Sequence, residues 1–105
     1  MGYFAVIRDA GPAWTAGKGA FDQPGADDHA AFMNELASAG IVLFAGPLAG
    51  SERGRIRALL IVNTDSEVAI LDRLAADPWA REQRIVTTSV EPWNIFVGAD
   101  RISAA

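Results

Sequence analysis

The order of its regular segments limits this chain to few folds. Alternating apolar residues indicate a strand at "YFAVIRD" (residues 3–9), and an amphipathic helix is predicted between Asp27 and Gly40. Two further extended segments, "IVLFAGPL" and "IRALLIVN", are joined by a short turn region. A second helical segment, "TDSEVAILDRLAAD", then precedes a last strand within "RIVTTSVEPWNIFV". The predicted order is therefore strand, helix, strand, strand, helix, strand.

This order is typical of the α+β ferredoxin-like fold, βαββαβ, in which an antiparallel sheet carries two helices on one face. The chain has 105 residues, which fits a single domain covering residues 1–105. The nearly continuous apolar run of "IVLFAGPL" predicts a central strand for that segment. An apolar second face of the sheet needs cover, and another copy of the chain would provide it. We therefore predict a homodimer.

Within the elements, alternation in the first strand turns Phe4, Val6 and Arg8 towards one face. Asp27 or an earlier residue is the expected N-cap of the first helix. In the second helix, Val68 and Leu71, with Leu74 or Ala75, are the expected buried stripe, and Pro78 ends the helix.

Composition excludes several classes of function. The formal net charge is −4, and the densest basic run, "ERGRIR" (residues 52–57), is interpreted as a solvated hairpin loop, so nucleic-acid binding is not expected. The chain has no cysteine, which removes disulfides, thiolate nucleophiles and cysteine metal sites. No apolar run approaches the ~20 residues of a membrane-spanning helix, and the N-terminus does not resemble a signal peptide. We expect a cytoplasmic protein without membrane contact.

The chain contains one histidine, His29, near the start of the first helix. Phe32, Met33 and Leu36 follow it at the spacings of one helical face, so His29 belongs to the apolar stripe that packs on the sheet. One histidine without cysteine gives too few ligands for a transition metal. A buried histidine bonded to a backbone carbonyl and a functional histidine both fit this pattern. We expect the two helices to run roughly parallel, so spacing alone does not bring Asp77 to His29.

The segment of residues 10–26 is rich in glycine and proline and has no regular pattern. A loop of this length in a small domain is often a lid or a binding loop, although a loose surface connection is equally compatible with the sequence. Its large aromatic residues, Trp14 and Phe21, favour a covering role because such side chains usually pack on something.

Three stretches of the chain together resemble the YciI-like (YCII-related domain) family: "DHAAFMNELASAGIVLFAGPL", "ALLIVNTDSEVAILDRLAADPW" and "VEPWNIF". The shared pattern is a histidine early in the first helix, Gly-Pro-Leu at the end of the second strand, Asp-Pro after the second helix and Pro-Trp in the last strand. The resemblance covers nearly the whole chain and is weakest in residues 9–26. Each motif is short, and their order and spacing carry the resemblance.

The resemblance implies a dimeric α+β barrel, in which two ferredoxin-like sheets pack face to face, with a small-molecule pocket in each subunit. It also implies a His-Asp pair proposed as catalytic, which corresponds here to His29 and Asp77. Gly46 and Pro47 match the Gly-Pro of the family, and Trp93 matches its C-terminal aromatic position. The chemistry associated with the family is elimination of a halide from a muconate-type acid.

Combined with this resemblance, the sequence predicts a small lyase or isomerase without metal or cofactor, in which His29 and Asp77 perform acid–base chemistry on a carboxylate-type substrate. Arg8 is the candidate to bind the anion, although a surface ion pair with Asp9 or another acid is the commoner role of such an arginine. Trp14 or Phe21 would cover the pocket, and Trp79 is expected to pack at the end of the second helix.

Two other functions are compatible with the sequence. The same barrel architecture supports cofactor-free oxygenation of polyphenols, which would make the protein a monooxygenase. A non-catalytic ligand-binding dimer, in which His29 only packs, is the third possibility.

Overall fold

The computed structural model describes residues 2–49, 51 and 54–103. Its four strands are β1 (Gly2–Ala10), β2 (Val42–Pro47), β3 (Arg57–Thr64) and β4 (Ile85–Pro92). They form one sheet in the order β2-β3-β1-β4, and each neighbouring pair is antiparallel. The predicted ferredoxin-like α+β fold is confirmed. Glu52 and Arg53, the first residues of the basic run in the predicted hairpin loop, lie outside the described residues.

The helices are α1 (Ala26–Ser38), α2 (Glu67–Leu74), α3 (Pro78–Arg81) and α4 (Asp100–Ser103), with a short 3-10 helix at Ala20–Asp22. Within the described ranges, none of these helices has the length and apolar character needed to cross a membrane.

The main core lies between one face of the sheet and the helices α1 and α2. The predicted alternation of β1 is confirmed, because Phe4, Val6 and Arg8 are all buried. Leu36 of α1 and Ile70 and Leu74 of α2 close this core, and Phe32 and Met33 pack against it. Burying an aliphatic side chain of this size is worth about 1.5–3 kcal/mol, so both helices are held on the same face of the sheet.

The opposite face of the sheet is also apolar, which corrects one prediction. β2 is an edge strand, whereas its continuous apolar run had predicted a central one. The run is apolar on both sides because Val42 enters the core and Phe44, 59% exposed, lies on the outer face opposite Ile61. A hollow on this outer face is lined by Ala5, Leu59, Ile61, Glu91, Pro92 and Trp93.

The N-cap of α1 is Gly25, which is one of the earlier residues that the sequence allowed beside Asp27. Its φ of 73° is left-handed, no side chain caps the helix, and Asp27 lies inside the first turn. The buried stripe of α2 differs from the sequence prediction. In α2 the buried residues are Ile70 and Leu74, whereas Val68 is 65% exposed and Leu71 is partly exposed. The stripe follows the i, i+4 spacing rather than i, i+3.

The strand directions also correct the expected helix directions. β1 and β2 both run antiparallel to β3, and β4 runs antiparallel to β1. Each helix returns the chain between two parallel strands, α1 in one direction and α2 in the other. The two helices are therefore antiparallel, and the end of α2 lies beside the start of α1.

Candidate active site

Three elements bring charged side chains together at one end of the sheet. β1 carries Arg8 near its C-terminal end, α1 carries His29 in its first turn, and the turn between α2 and α3 carries Asp77. Because α1 begins where β1 ends, and α2 ends at that same level, this arrangement follows from the topology of the fold.

His29 and Asp77 are in direct contact. Nδ1 of His29 lies 2.8 Å from one carboxylate oxygen of Asp77 and 3.0 Å from the other. Asp77 is fully buried, whereas the His29 side chain is 19% exposed. A carboxylate at this distance accepts the Nδ1 proton and so favours the tautomer in which Nε2 is free to accept a proton.

Asp77 is itself held by two further donors. Arg8 donates from Nη1 to Oδ2 at 2.8 Å, and the backbone N–H of Trp79 donates to Oδ1 at 2.9 Å, which makes Asp77 the N-cap of α3. Burial by itself raises the pKa of the Asp77 carboxyl, but the hydrogen bonds and positive charges of His29 and Arg8 outweigh it. The net effect lowers the pKa of Asp77 below its ordinary value of 3.8, so the carboxylate is ionised near neutral pH.

Arg8 is a buried cation rather than the surface arginine that the sequence also allowed. Its side chain is 1% exposed and pairs with Asp77 instead of Asp9. Its Nε and Nη2 atoms are buried and have no hydrogen-bond partner among the described residues. Two N–H groups on one edge of this buried guanidinium therefore have no acceptor among the described residues.

A cavity of about 320 Å³ opens beside this group. This volume lies at the lower end of the range of small-molecule sites. Most of its wall is apolar, and its polar side chains are Arg8, His29 and Asn34. The apolar residues around it come from α1, α3, the loop before α1, and the strands β2, β3 and β4 with the residue before β3: Ala20, Phe21, Ala26, Ala30, Met33, Ala45, Gly46, Pro47, Ile56, Ala58, Leu60, Trp79 and Ile85.

The cavity contains some of the predicted ligand-contacting residues and not others. Phe21, Gly46 and Pro47 line it, and Phe21 is 96% exposed on the short 3-10 helix. Trp14 does not line it: this side chain is buried behind Trp79. Trp93 does not line it either, because the last residues of β4 lie at the other end of β1, and Trp93 contributes to the hollow on the outer face.

The loop before α1 is anchored, so it is not a loose surface connection. Trp14 donates from its indole nitrogen to the carbonyl of Gly54 at 2.9 Å. Buried Gln23 accepts from the backbone of Thr15 and donates to the carbonyls of Thr15 and Lys18. These bonds fix the loop close to the cavity that Phe21 borders.

Sequence reasoning missed two residues of this region. Asn34, an exposed residue of α1, was not among the predicted site residues, yet it lies at the cavity. Trp79 was expected at the end of the second helix, but its indole stacks on the imidazole of His29, with ring centroids 3.9 Å apart and planes 7° apart. The Asp77-Pro78 sequence was the available signal, because Asp followed by Pro is typical of a helix start and would have placed Trp79 in the first turn of α3.

The fold and the site define an α+β protein with a ferredoxin-like sheet and a cavity of small-molecule size. No protein-family model matches the chain, and neither does any curated protein. Membership of the YciI-like family therefore stays a prediction.

Among solved structures, the chain is similar to the 5-chloro-2-hydroxyhydroquinone dehydrochlorinase TftG from Burkholderia phenoliruptrix AC1100 in complex with 2,5-dihydroxybenzoquinone. The TM-score is 0.63 and the sequence identity 21%, and the match covers 90% of this chain and 95% of that one. At this identity the likeness shows the fold.

Proposed function

We propose that the protein is a cofactor-free lyase or isomerase of a small anionic molecule, with His29 as its general base. The observation that carries this proposal is the contact between His29 and the buried carboxylate of Asp77 at 2.8 Å, beside a cavity. Asp77 holds the imidazole tautomer and stabilises the imidazolium as it forms, while Arg8 keeps Asp77 ionised and in place. The dehydrochlorinase of similar fold supports elimination as the reaction class.

The reaction begins when Nε2 of His29 removes an acidic proton from the substrate, next to or conjugated with a carbonyl group. The electron pair of the broken bond becomes part of a new double bond. In an elimination, a halide leaves with its bonding electrons from a conjugated carbon, so the substrate loses HX in sum. In an isomerisation, the imidazolium returns the proton to a different carbon. Neither sequence of steps requires a metal or a redox group.

The cavity supports a small, largely planar and anionic substrate, such as a carboxylate or an acidic enol. Its apolar wall suits a ring or a conjugated chain, and the positive charge of Arg8, which borders the cavity, favours an anionic substrate. The 2,5-dihydroxybenzoquinone bound to the dehydrochlorinase is a compact molecule of this kind. Phe21, Gly46 and Pro47, which line the cavity, would contact the substrate.

We also propose that the protein acts as a homodimer of the α+β barrel type, as the YciI-like resemblance implies. The exposed apolar outer face supports this assembly, since Phe44 and Trp93 remain 59% and 44% exposed in the isolated chain. A second copy packed face to face would remove both side chains from water.

The proposal is tested by measuring chloride release from 5-chloro-2-hydroxyhydroquinone and from a panel of small chlorinated unsaturated carboxylic acids. We expect His29→Ala to lower turnover by about 10²- to 10⁴-fold, the usual contribution of general acid–base catalysis, and Asp77→Asn to lower it as well. Asp28→Asn is the matched control, because Asp28 is an exposed carboxylate one residue away from His29.

Three results would contradict the proposal. Equal turnover in the wild type, His29→Ala and Asp77→Asn would show that His29 is not the general base. A wild type that binds compounds of the panel without converting any of them would favour the ligand-binding dimer instead. Oxygen consumption with a polyphenol, without chloride release, would favour the monooxygenase function over the lyase function.

A further inference from the structure

The face of the His29 imidazole is covered by Trp79, a contact that acid–base chemistry alone does not require. The two rings are parallel to within 7° and their centroids are 3.9 Å apart. Trp79 is 1% exposed, so water does not separate the rings or compete for the indole face.

Trp79 is itself fixed from three directions. Its indole N–H donates to the carbonyl of Pro24 at 2.9 Å, and its backbone N–H donates to Asp77 at 2.9 Å. Trp14 packs against it edge to face, with a centroid distance of 5.5 Å and an interplanar angle of 86°. Because both ring and backbone are anchored, the indole is a rigid surface against which the imidazole rests.

The imidazole is consequently restrained on two sides. Asp77 accepts at Nδ1, and the indole covers one ring face, which leaves Nε2 and the opposite face for a substrate. A base that is held in one plane keeps its lone pair aligned with the proton that it removes, and such orientation lowers the activation barrier.

The charges around His29 give the indole a second role. Among the described contacts, the charged groups that face the ring are Asp77, from the turn before α3, and behind it Arg8 of β1. Arg8 neutralises much of the charge of Asp77, so the carboxylate alone offers less stabilisation to an imidazolium than an unpaired carboxylate would. The negative face of an indole attracts a cation, most strongly where water is excluded.

We propose that Trp79 is a positioning residue that fixes the plane of the His29 ring and stabilises its imidazolium during turnover. This inference rests on the proposed function of His29 as the base. It assigns the Asp-Pro-Trp segment a role in the reaction in addition to its role in starting α3.

Trp79→Phe and Trp79→Leu form a matched pair for the test. Both variants lose the hydrogen bond to Pro24 and keep the backbone N–H that binds Asp77, so they differ mainly in the presence of an aromatic face. We expect Trp79→Leu to lower kcat by about 5- to 30-fold, the range of a buried cation–π contact, with KM changed less than about twofold. Trp79→Phe should stay within about threefold of the wild-type kcat.

A spectroscopic measurement on the resting protein accompanies the rates. His29 is the only histidine, so its imidazole resonances need no assignment by mutation. Ring-current shifts from the stacked aromatic face should be present in the wild type and in Trp79→Phe and absent in Trp79→Leu. Equal losses of kcat in the two variants would overturn the inference, because they would indicate packing alone.

Fluorinated tryptophan keeps the proposal testable if Trp79→Leu does not fold. In a Trp14→Phe/Trp93→Phe background, Trp79 is the remaining tryptophan of the three in the chain. Each added fluorine weakens the negative face of the indole at nearly constant shape, so kcat of this background should decrease stepwise with fluorine number. A kcat that is independent of fluorination would overturn the role in stabilising the imidazolium.

The two proposals fail in different ways. If His29→Ala keeps full turnover, the proposed function fails, and the role of Trp79 fails with it. If His29→Ala loses turnover while Trp79→Leu matches Trp79→Phe, the base stands and the role of Trp79 is contradicted.

Discussion

Asp77 connects the charge of the site to the stability of the fold. Its carboxylate is fully buried, accepts from Arg8 and Trp79, and contacts His29. A carboxyl whose pKa is lowered on folding contributes stability above its unfolded pKa, and this contribution disappears as the pH falls through the folded value.

We therefore expect acid to remove the stability contributed by Asp77. The unfolding free energy of the wild type should exceed that of Asp77→Asn near neutral pH, and the difference should shrink once the pH falls below about 4. Urea denaturation of both proteins between pH 7 and pH 2 measures this. A difference that stays constant over that range would show that Asp77 is not ionised in the folded protein.

Arg8→Met should be strongly destabilising. The change leaves the buried Asp77 without its cation, and breaking a buried ion pair from one side costs about 3–5 kcal/mol. Arg57→Met is the matched control, because Arg57 is 61% exposed and lies 3.8 Å from Asp9, where the expected loss is below about 1 kcal/mol. Equal unfolding free energies for the two variants would contradict a structural role for Arg8.

At the scale of elements, the topology of the fold explains the contact between His29 and Asp77, which the spacing of residues in the sequence did not predict. The sequence identified Asp77 through the family resemblance, and the expectation of parallel helices separated it from His29. The antiparallel directions of α1 and α2 remove that separation. The predicted βαββαβ fold already implies these directions, since its antiparallel strands place the end of the second helix beside the start of the first.

The loop before α1 is packed against the turn between α3 and β4. A side chain at Gly11 would place its Cβ 2.2 Å from the carbonyl oxygen of Gln83, which is a backbone atom. We expect Gly11→Ala to destabilise the protein by about 1–3 kcal/mol, as overpacking does. Gly19→Ala, in the same loop, meets no atom within 4 Å and should change stability by less than about 0.5 kcal/mol. Thermal denaturation compares the two, and similar losses would contradict this packing.

At the scale of the whole molecule, the order of the segments predicted the fold, because two helical and four extended patterns in this order have few solutions. The edge position of β2 escaped prediction for a physical reason. A strand that is apolar on both sides is usually buried on both sides. In β2, however, Phe44 lies on the outer face of the sheet and remains exposed in the isolated chain. The stacking of Trp79 on His29 was not predicted, because the two side chains are fifty residues apart in the sequence. Local periodicity gives no information about contacts over such a distance.

The outer face provides a test of the proposed dimer. Phe44→Glu would place a charge on the apolar outer face, opposite Ile61, so we expect it to produce monomers. Val68→Glu changes an exposed apolar side chain on α2, on the other side of the sheet, and should leave the dimer intact. Sedimentation at micromolar concentration distinguishes them, and a wild type that sediments as a monomer would contradict the proposal.

The central claim, that His29 removes the proton of the substrate, is tested most directly by chemical rescue. His29→Ala opens space for a free imidazole between Trp79 and Asp77, and its turnover of the best substrate in the panel is measured with and without added imidazole. We predict a loss of about 10²-fold or more and a partial, saturable recovery with imidazole. Turnover by His29→Ala at the wild-type rate without imidazole would contradict the claim.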